Sequence, residues 1–148
     1  MELNHNAERL ADLTFSLLAN CQEKETRLAE VHSLTQAEFR CLRLFSSHEN
    51  INNKTIAERM NLSPSRLTRI IDGLVQKEYI IREINPNDRR NMNVCLSRKG
   101  QHLVHQLNKS YIEIHKEILQ DIEVEQHQPL ITAMTHLLSA LEKWIAKS

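Results

Sequence analysis

Ser63-Pro64-Ser65-Arg66-Leu67-Thr68-Arg69-Ile70-Ile71 and, further on, Asn85-Pro86-Asn87-Asp88-Arg89-Arg90 decide how this chain folds. Ser63 is a helix N-cap type, and Pro64 has the fixed φ that suits the first helical position, so a helix begins here. Leu67, Ile70, Ile71, Leu74 and Val75 recur at the spacing of a buried stripe. Ser65, Arg66, Thr68, Arg69, Gly73 and Gln76 fall on the opposite face. After this helix come two β-rich runs, Tyr79 to Ile84 and Met92 to Leu96, joined by a Pro-Asn-Asp turn. They predict a hairpin whose tip carries Arg89 and Arg90.

Charge singles out the same segment. Residues 63–100 hold eight basic and four acidic residues, a net +4, whereas 1–62 (7 basic, 9 acidic) and 101–148 (4 basic, 6 acidic) each net −2. The chain averages to neutral while one region is basic, and binding to phosphate needs only local charge.

Working outward, Asn52 or Asn53 caps a short helix from Lys54 to Met60, with Ile56, Ala57 and Met60 inward. Asn61 stands where a tight inter-helix turn requires a left-handed residue. Two helices joined by such a turn, the second displaying Ser, Arg, Thr and Arg early on, form a helix-turn-helix. With the hairpin added, the expected lobe is a winged helix-turn-helix over residues 35–99. Upstream, Thr35-Gln36-Ala37-Glu38 is a capping box that opens a helix with Phe39, Leu42 and Phe45 inside. Leu10, Leu13, Leu17, Leu18 and Cys21 mark one face of a long first helix. Ser97 caps another, with Leu103, Leu107, Tyr111, Ile114, Ile118 and Ile122 in line. A helix from 98 to 123 would be about 39 Å long, more than a small winged core can cover. Pro129 opens a last helix with Leu130, Met134, Leu137, Leu138, Leu141 and Trp144 on one face. The excess apolar stripe predicts a two-fold homodimer in which the terminal helices, 1–30 and 100–148, interlock. The predicted fold class is mainly α with a small β-hairpin wing, one 148-residue domain.

Among 148 residues, two Gly and 4% aromatics favour helix over sheet. No run approaches the length of a membrane span. The start of the chain lacks the basic and apolar regions of a signal peptide, and three cysteines give no paired spacing, so the expected compartment is the reducing cytoplasm. There is no nucleophile elbow, phosphate-cradling glycine loop or paired carboxylate site, so neither an enzyme nor a cofactor is expected.

Along nearly its whole length the chain resembles the MarR family of bacterial transcriptional regulators. The likeness rests on Leu34-Thr35-Gln36-Ala37-Glu38-Phe39, on Thr55-Ile56-Ala57-Glu58-Arg59-Met60-Asn61-Leu62-Ser63, and above all on Asp88-Arg89-Arg90 leading to Val94-Cys95-Leu96-Ser97-Arg98-Lys99-Gly100. The resemblance implies a homodimer on a short inverted repeat, released by a small phenolic or lipophilic ligand, an oxidant or a metal. Two departures stand out. The family commonly has Gly ahead of the first wing strand, where this chain has Glu78-Tyr79, and Gly73 interrupts the recognition helix, at roughly 1 kcal/mol relative to Ala.

The expected DNA contacts are Ser63, Ser65, Arg66, Thr68 and Arg69 in a major groove, where Arg grips guanine O6 and N7. Arg90 enters a minor groove, Arg89 meets phosphate, and Asp88 fixes the tip. The bland alternatives are a solvated helix face and an Asp–Arg pair that only staples the hairpin. Arg98 and Lys99 are either peripheral phosphate contacts or ordinary surface charges. Gly73 is either simply tolerated or lets backbone approach the duplex. Cys21, Cys41 and Cys95 read as packing residues rather than redox sensors. His102, His105 and His115 read as ordinary helix residues, with no metal site. A winged-helix protein-interaction module, or a thiol- or metal-responsive regulator on the same frame, are the rival readings.

Overall fold

The structure is a computed structural model that describes residues 1–45, 51–84 and 92–147. In chain order it contains α1 (Glu2–Val31), α2 (Gln36–Arg43), β1 (Ile51–Asn52), α3 (Asn53–Met60), α4 (Pro64–Gln76), β2 (Ile80–Ile84), β3 (Met92–Leu96) and α5 (Arg98–Gln120). A single 3-10 turn, Val124–Gln126, precedes α6 (His127–Ala146). The fold is the mainly helical one with a small antiparallel sheet that the periodicities predict. It divides into two units, residues 1–108 and 109–148.

In the first unit the core is made by Leu28 and Ala29 of α1, Phe39, Cys41 and Leu42 of α2, Ile56 of α3, and Leu67, Ile71 and Leu74 of α4, with Val94 and Leu107. Burying the Val, Leu, Ile and Phe side chains among these contributes roughly 1.5–3 kcal/mol each. Ile70 and Val75, expected inside, are only half-buried. The capping box at α2 forms as read: the Thr35 hydroxyl accepts from the Glu38 N–H at 3.1 Å, and the Glu38 carboxylate accepts from the Thr35 N–H at 2.9 Å. Asn52, not Asn53, caps α3, accepting from the Lys54 N–H at 2.7 Å. The hairpin pairs Ile80 with Leu96 through to Ile84 with Met92. A third strand, β1, pairs Ile51 with Val94 on the other edge of β3, giving the order β1-β3-β2. Two residues are too few to show a strand period, so sequence patterning does not reveal β1.

Among the described residues, the left-handed backbone positions are Ser33 (φ 57°), Asn61 (φ 55°) and Glu78 (φ 70°), and none is glycine. Each ends a helix. After Ser33 the Leu34 N–H reaches back to the Ala29 carbonyl at 2.9 Å, after Asn61 that of Leu62 to Ala57 at 3.0 Å, and after Glu78 that of Tyr79 to Leu74 at 2.9 Å. These are Schellman closures. Glu78 thus takes a left-handed conformation that glycine would adopt without strain, and Tyr79 closes α4 instead of opening β2. Ser97 then joins three elements. Its hydroxyl donates to the Glu78 carbonyl at 2.6 Å and accepts from the Gly100 N–H at 2.9 Å, and its own N–H donates to the Tyr79 carbonyl at 3.0 Å. A Cβ at Gly100 would stand 2.0 Å from the Tyr79 carbonyl oxygen.

In the second unit α5 stops at Gln120 rather than 123. The His127 Nε2 lies 2.9 Å from the Leu119 carbonyl and 3.0 Å from that of Ile122, and so closes the chain reversal. That holds α6 to a start at His127, with Pro129 inside the first turn, where its missing N–H has no partner to lose. No residue of α6 is buried, and Leu130, Met134, Leu138, Leu141 and Trp144 are exposed in the single chain, as are Leu10, Leu13, Phe15, Leu17 and Leu18 of α1.

Two substitutions test these closures by urea unfolding. Gly100→Ala sets a methyl against fixed backbone and is expected to lose about 3 kcal/mol or more, or to prevent folding. Glu78→Gly removes the left-handed strain, only partly offset by a looser unfolded chain, and is expected to gain about 0.5–1 kcal/mol.

Candidate nucleic-acid interface

The first turns of α4 present Ser65, Arg66, Thr68 and Arg69, all exposed, on one arc of the helix. The capped start fixes them. The Ser63 hydroxyl accepts from the Arg66 N–H at 3.4 Å, with the Ser65 hydroxyl 3.3 Å away. The Thr68 hydroxyl donates to the Pro64 carbonyl at 2.8 Å. Among the described residues, the guanidinium groups of Arg66 and Arg69 have neither a hydrogen bond nor an ion pair. Both side chains face solvent.

The other cations of the basic segment divide differently. Lys77 Nζ donates to Glu38 Oε1 at 2.7 Å and to the Ser33 carbonyl at 2.9 Å. Arg82 on β2 is paired with Asp72 on α4. Lys99 Nζ lies 3.3 Å from the Lys77 carbonyl and 5.0 Å from the centre of the Tyr79 ring. Lys77, Arg82 and Lys99 therefore hold the lobe together, and the formal +4 overstates the field available to a ligand. Asp88, Arg89 and Arg90 lie outside the described residues. The strands on either side of them are paired through Ile84 and Met92.

Gly73 is not part of the displayed arc. A Cβ there would lie 2.6 Å from Glu38 Oε2, so the missing side chain lets α4 close on the buried carboxylate of α2. Beside the two readings from sequence, the structure gives Gly73 a third role, close packing against Glu38. The Glu38–Lys77 pair escaped the sequence because it joins residues 39 positions apart, and Asp72–Arg82 because it joins a helix to a strand, outside any helical spacing. The one available signal was a glycine inside an otherwise strong helix.

Beside the arc, Asn53, Lys54, Pro64, Leu67, Thr68 and Met92 contribute to the walls of a cavity of about 740 Å³ between α3, α4 and β3. The Asn53 Oδ1 is buried with no hydrogen-bond partner among the described residues.

The cysteines are free thiols. Burial, reinforced by the nearby Glu38 carboxylate, pushes the Cys41 thiol from its ordinary 9.0 up to about 12. Cys95 is also raised, first by burial and then by Glu83. Cys21 is half-buried, with Lys24 Nζ 3.8 Å from its sulfur. Among the described residues no three His, Cys, Asp or Glu side chains are placed to hold a metal ion. His102 Nε2 lies 3.2 Å from the Gln106 amide nitrogen, and His115 Nδ1 lies 2.7 Å from the Tyr111 carbonyl.

Alkylation of the native protein near neutral pH is expected to spare Cys41, which holds about a thousandfold less thiolate than an ordinary thiol. Mass spectrometry of the labelled chain reads this directly. Labelling of Cys41 as fast as Cys21 would contradict its burial.

Residues 34–92 match the sequence model of the MarR family. A curated relative, the HTH-type transcriptional regulator SarZ of Staphylococcus haemolyticus, is 26% identical over 132 residues, covering 86% of this chain and 87% of the relative. Among solved structures, a mutant MarR from E. coli superposes with a TM-score of 0.75 at 21% identity, over 87% of this chain and 96% of that one. The MepR protein of S. aureus, solved as a complex with DNA, gives a TM-score of 0.72 at 19% identity, over 89% and 97%. At those identities the structural likeness is one of fold.

Proposed function

Because residues 34–92 match the model of the MarR family, we propose that this chain is a sequence-specific regulator of transcription, a repressor that binds double-stranded DNA as a homodimer on an inverted repeat. The observation that carries this reading is the exposed arc of Ser65, Arg66, Thr68 and Arg69, with two guanidiniums that no partner among the described residues neutralises. Arg66 and Arg69 reach base edges in the major groove, Ser63 and Ser65 serve the adjacent phosphates, and Arg89 and Arg90 extend the contact from the wing with Asp88 as their brace. Residues 35–99 form the reading lobe, and 1–30 with 100–148 form the dimerisation region. The exposed apolar side chains of α1 and α6 support that assignment, since a lone chain rarely leaves so much apolar surface in water.

Two recognition helices must sit about 34–36 Å apart to enter successive major grooves on one face of the duplex. A small-molecule effector releases the dimer by preferring another separation, and only its difference in affinity between the two states does the work. A partner on the chromosome puts the protein in the cytoplasm, and no described helix is long and apolar enough to cross a membrane.

Footprinting on DNA flanking the coding region, repeated from low to moderate salt, tests the reading. Protection of a two-fold symmetric site that weakens steeply with salt is expected. Arg69→Ala should lose roughly 1–3 kcal/mol and relax preference at one base pair, whereas Arg98→Ala should weaken every sequence alike. A stable monomer, or a protein with no duplex preference at low ionic strength, would refute the proposal and favour an interaction module.

A further inference from the structure

We propose that Glu38 is a positioning residue: through Lys77 and Gly73 it sets the angle at which α4 meets a duplex, and so the half-site spacing the dimer accepts. The inference rests on the DNA-binding reading above and adds to it a residue that touches no DNA.

Glu38 is 5% exposed and stands where three elements meet. Its Oε1 receives the Thr35 N–H at 2.9 Å, at the start of α2, and the Lys77 ammonium at 2.7 Å, at the end of α4. Its Oε2 faces Gly73, where an added Cβ would lie 2.6 Å away and push the carboxylate aside. The Lys77 ammonium also takes the Ser33 carbonyl at 2.9 Å, in the turn that follows α1. One carboxylate thus fixes the end of α4 against the end of α1 and the start of α2. From the other side the same helix end is tied to α5, through Ser97 to the Glu78 carbonyl and Lys99 to that of Lys77. The displayed arginines lie at the far end of α4.

The geometry makes this joint a lever. Gly73 and Arg66 are separated by about 10 Å along the helix axis. A tilt of about 6° at the joint therefore moves Arg66 by about 1 Å, beyond the roughly 0.5 Å tolerance of a precise binding constellation. An apolar side chain in place of Glu38 would keep the helices in contact, but without directional bonds it would not fix their angle. Buried ion pairs add little net stability, and their best-attested use is to select one arrangement among several. Lys77 is partly exposed and can turn to solvent when its partner is lost, so the joint can be loosened without unfolding the lobe.

The test uses the full-length dimer and two neutralising variants, Glu38→Gln and Lys77→Met. Urea unfolding gives stability. Binding at low salt is measured to a single half-site and to inverted repeats whose centre spacing is varied one base pair at a time. The expected result is half-site affinity within about twofold of the unaltered protein, with the spacing preference flattened or shifted and about a tenfold loss at the best spacing. Arg66→Ala should do the reverse, lowering half-site affinity and keeping the spacing preference. If Glu38→Gln does not fold, Lys77→Met carries the test alone. Loss of half-site and paired-site affinity in proportion to lost stability, or an unchanged spacing profile, overturns this inference while leaving DNA binding intact. Failure of the unaltered protein to bind any duplex overturns the functional reading itself.

Discussion

The close approach of the Tyr79 carbonyl to the first turn of α5 is the constraint on which the lobe depends. At that point one helix ends, a strand begins and another helix starts, within a volume that excludes a single methyl group at Gly100. Ser97 satisfies the polar groups left there, using one hydroxyl as both donor and acceptor. Helix ends leave backbone groups without intrahelical partners, and here three elements share one small side chain to supply them. The direction of the hairpin relative to α4, and of α5 relative to both, follows from this node.

Electrostatics then sorts the basic residues into two kinds. Lys77 and Arg82 are held by acidic partners on neighbouring elements, whereas Arg66 and Arg69 are left to solvent. A formal count treats them alike. A phosphate or a base edge feels only the second kind, while the first keeps the surface that carries them in one shape.

Sequence reading recovers what is local and misses what is distant. The capping box at Thr35, the left-handed turn at Asn61 and the Ser63-Pro64 start are encoded in neighbouring residues, and each appears where expected. Helix periodicity places the cores of α2 and α4 for the same reason. By contrast, the Glu38–Gly73–Lys77 joint brings together residues more than thirty positions apart, and no period or motif announces it. Glu78 shows a related limit: its left-handed backbone is imposed by the helix closing behind it, against the preference of its own side chain. The wing residues Asp88, Arg89 and Arg90 rest on motif alone.

The Thr68 hydroxyl has given its proton to the carbonyl of Pro64, one turn back along its own helix. It thereby turns only lone pairs outward. Opposite a base pair, such a group welcomes the exocyclic amino hydrogens of adenine or cytosine and gains nothing from the keto oxygens of guanine or thymine. On the reading proposed above, it would stand beside two arginines aimed at guanine and add a complementary letter to the same short helical turn, without a charge of its own.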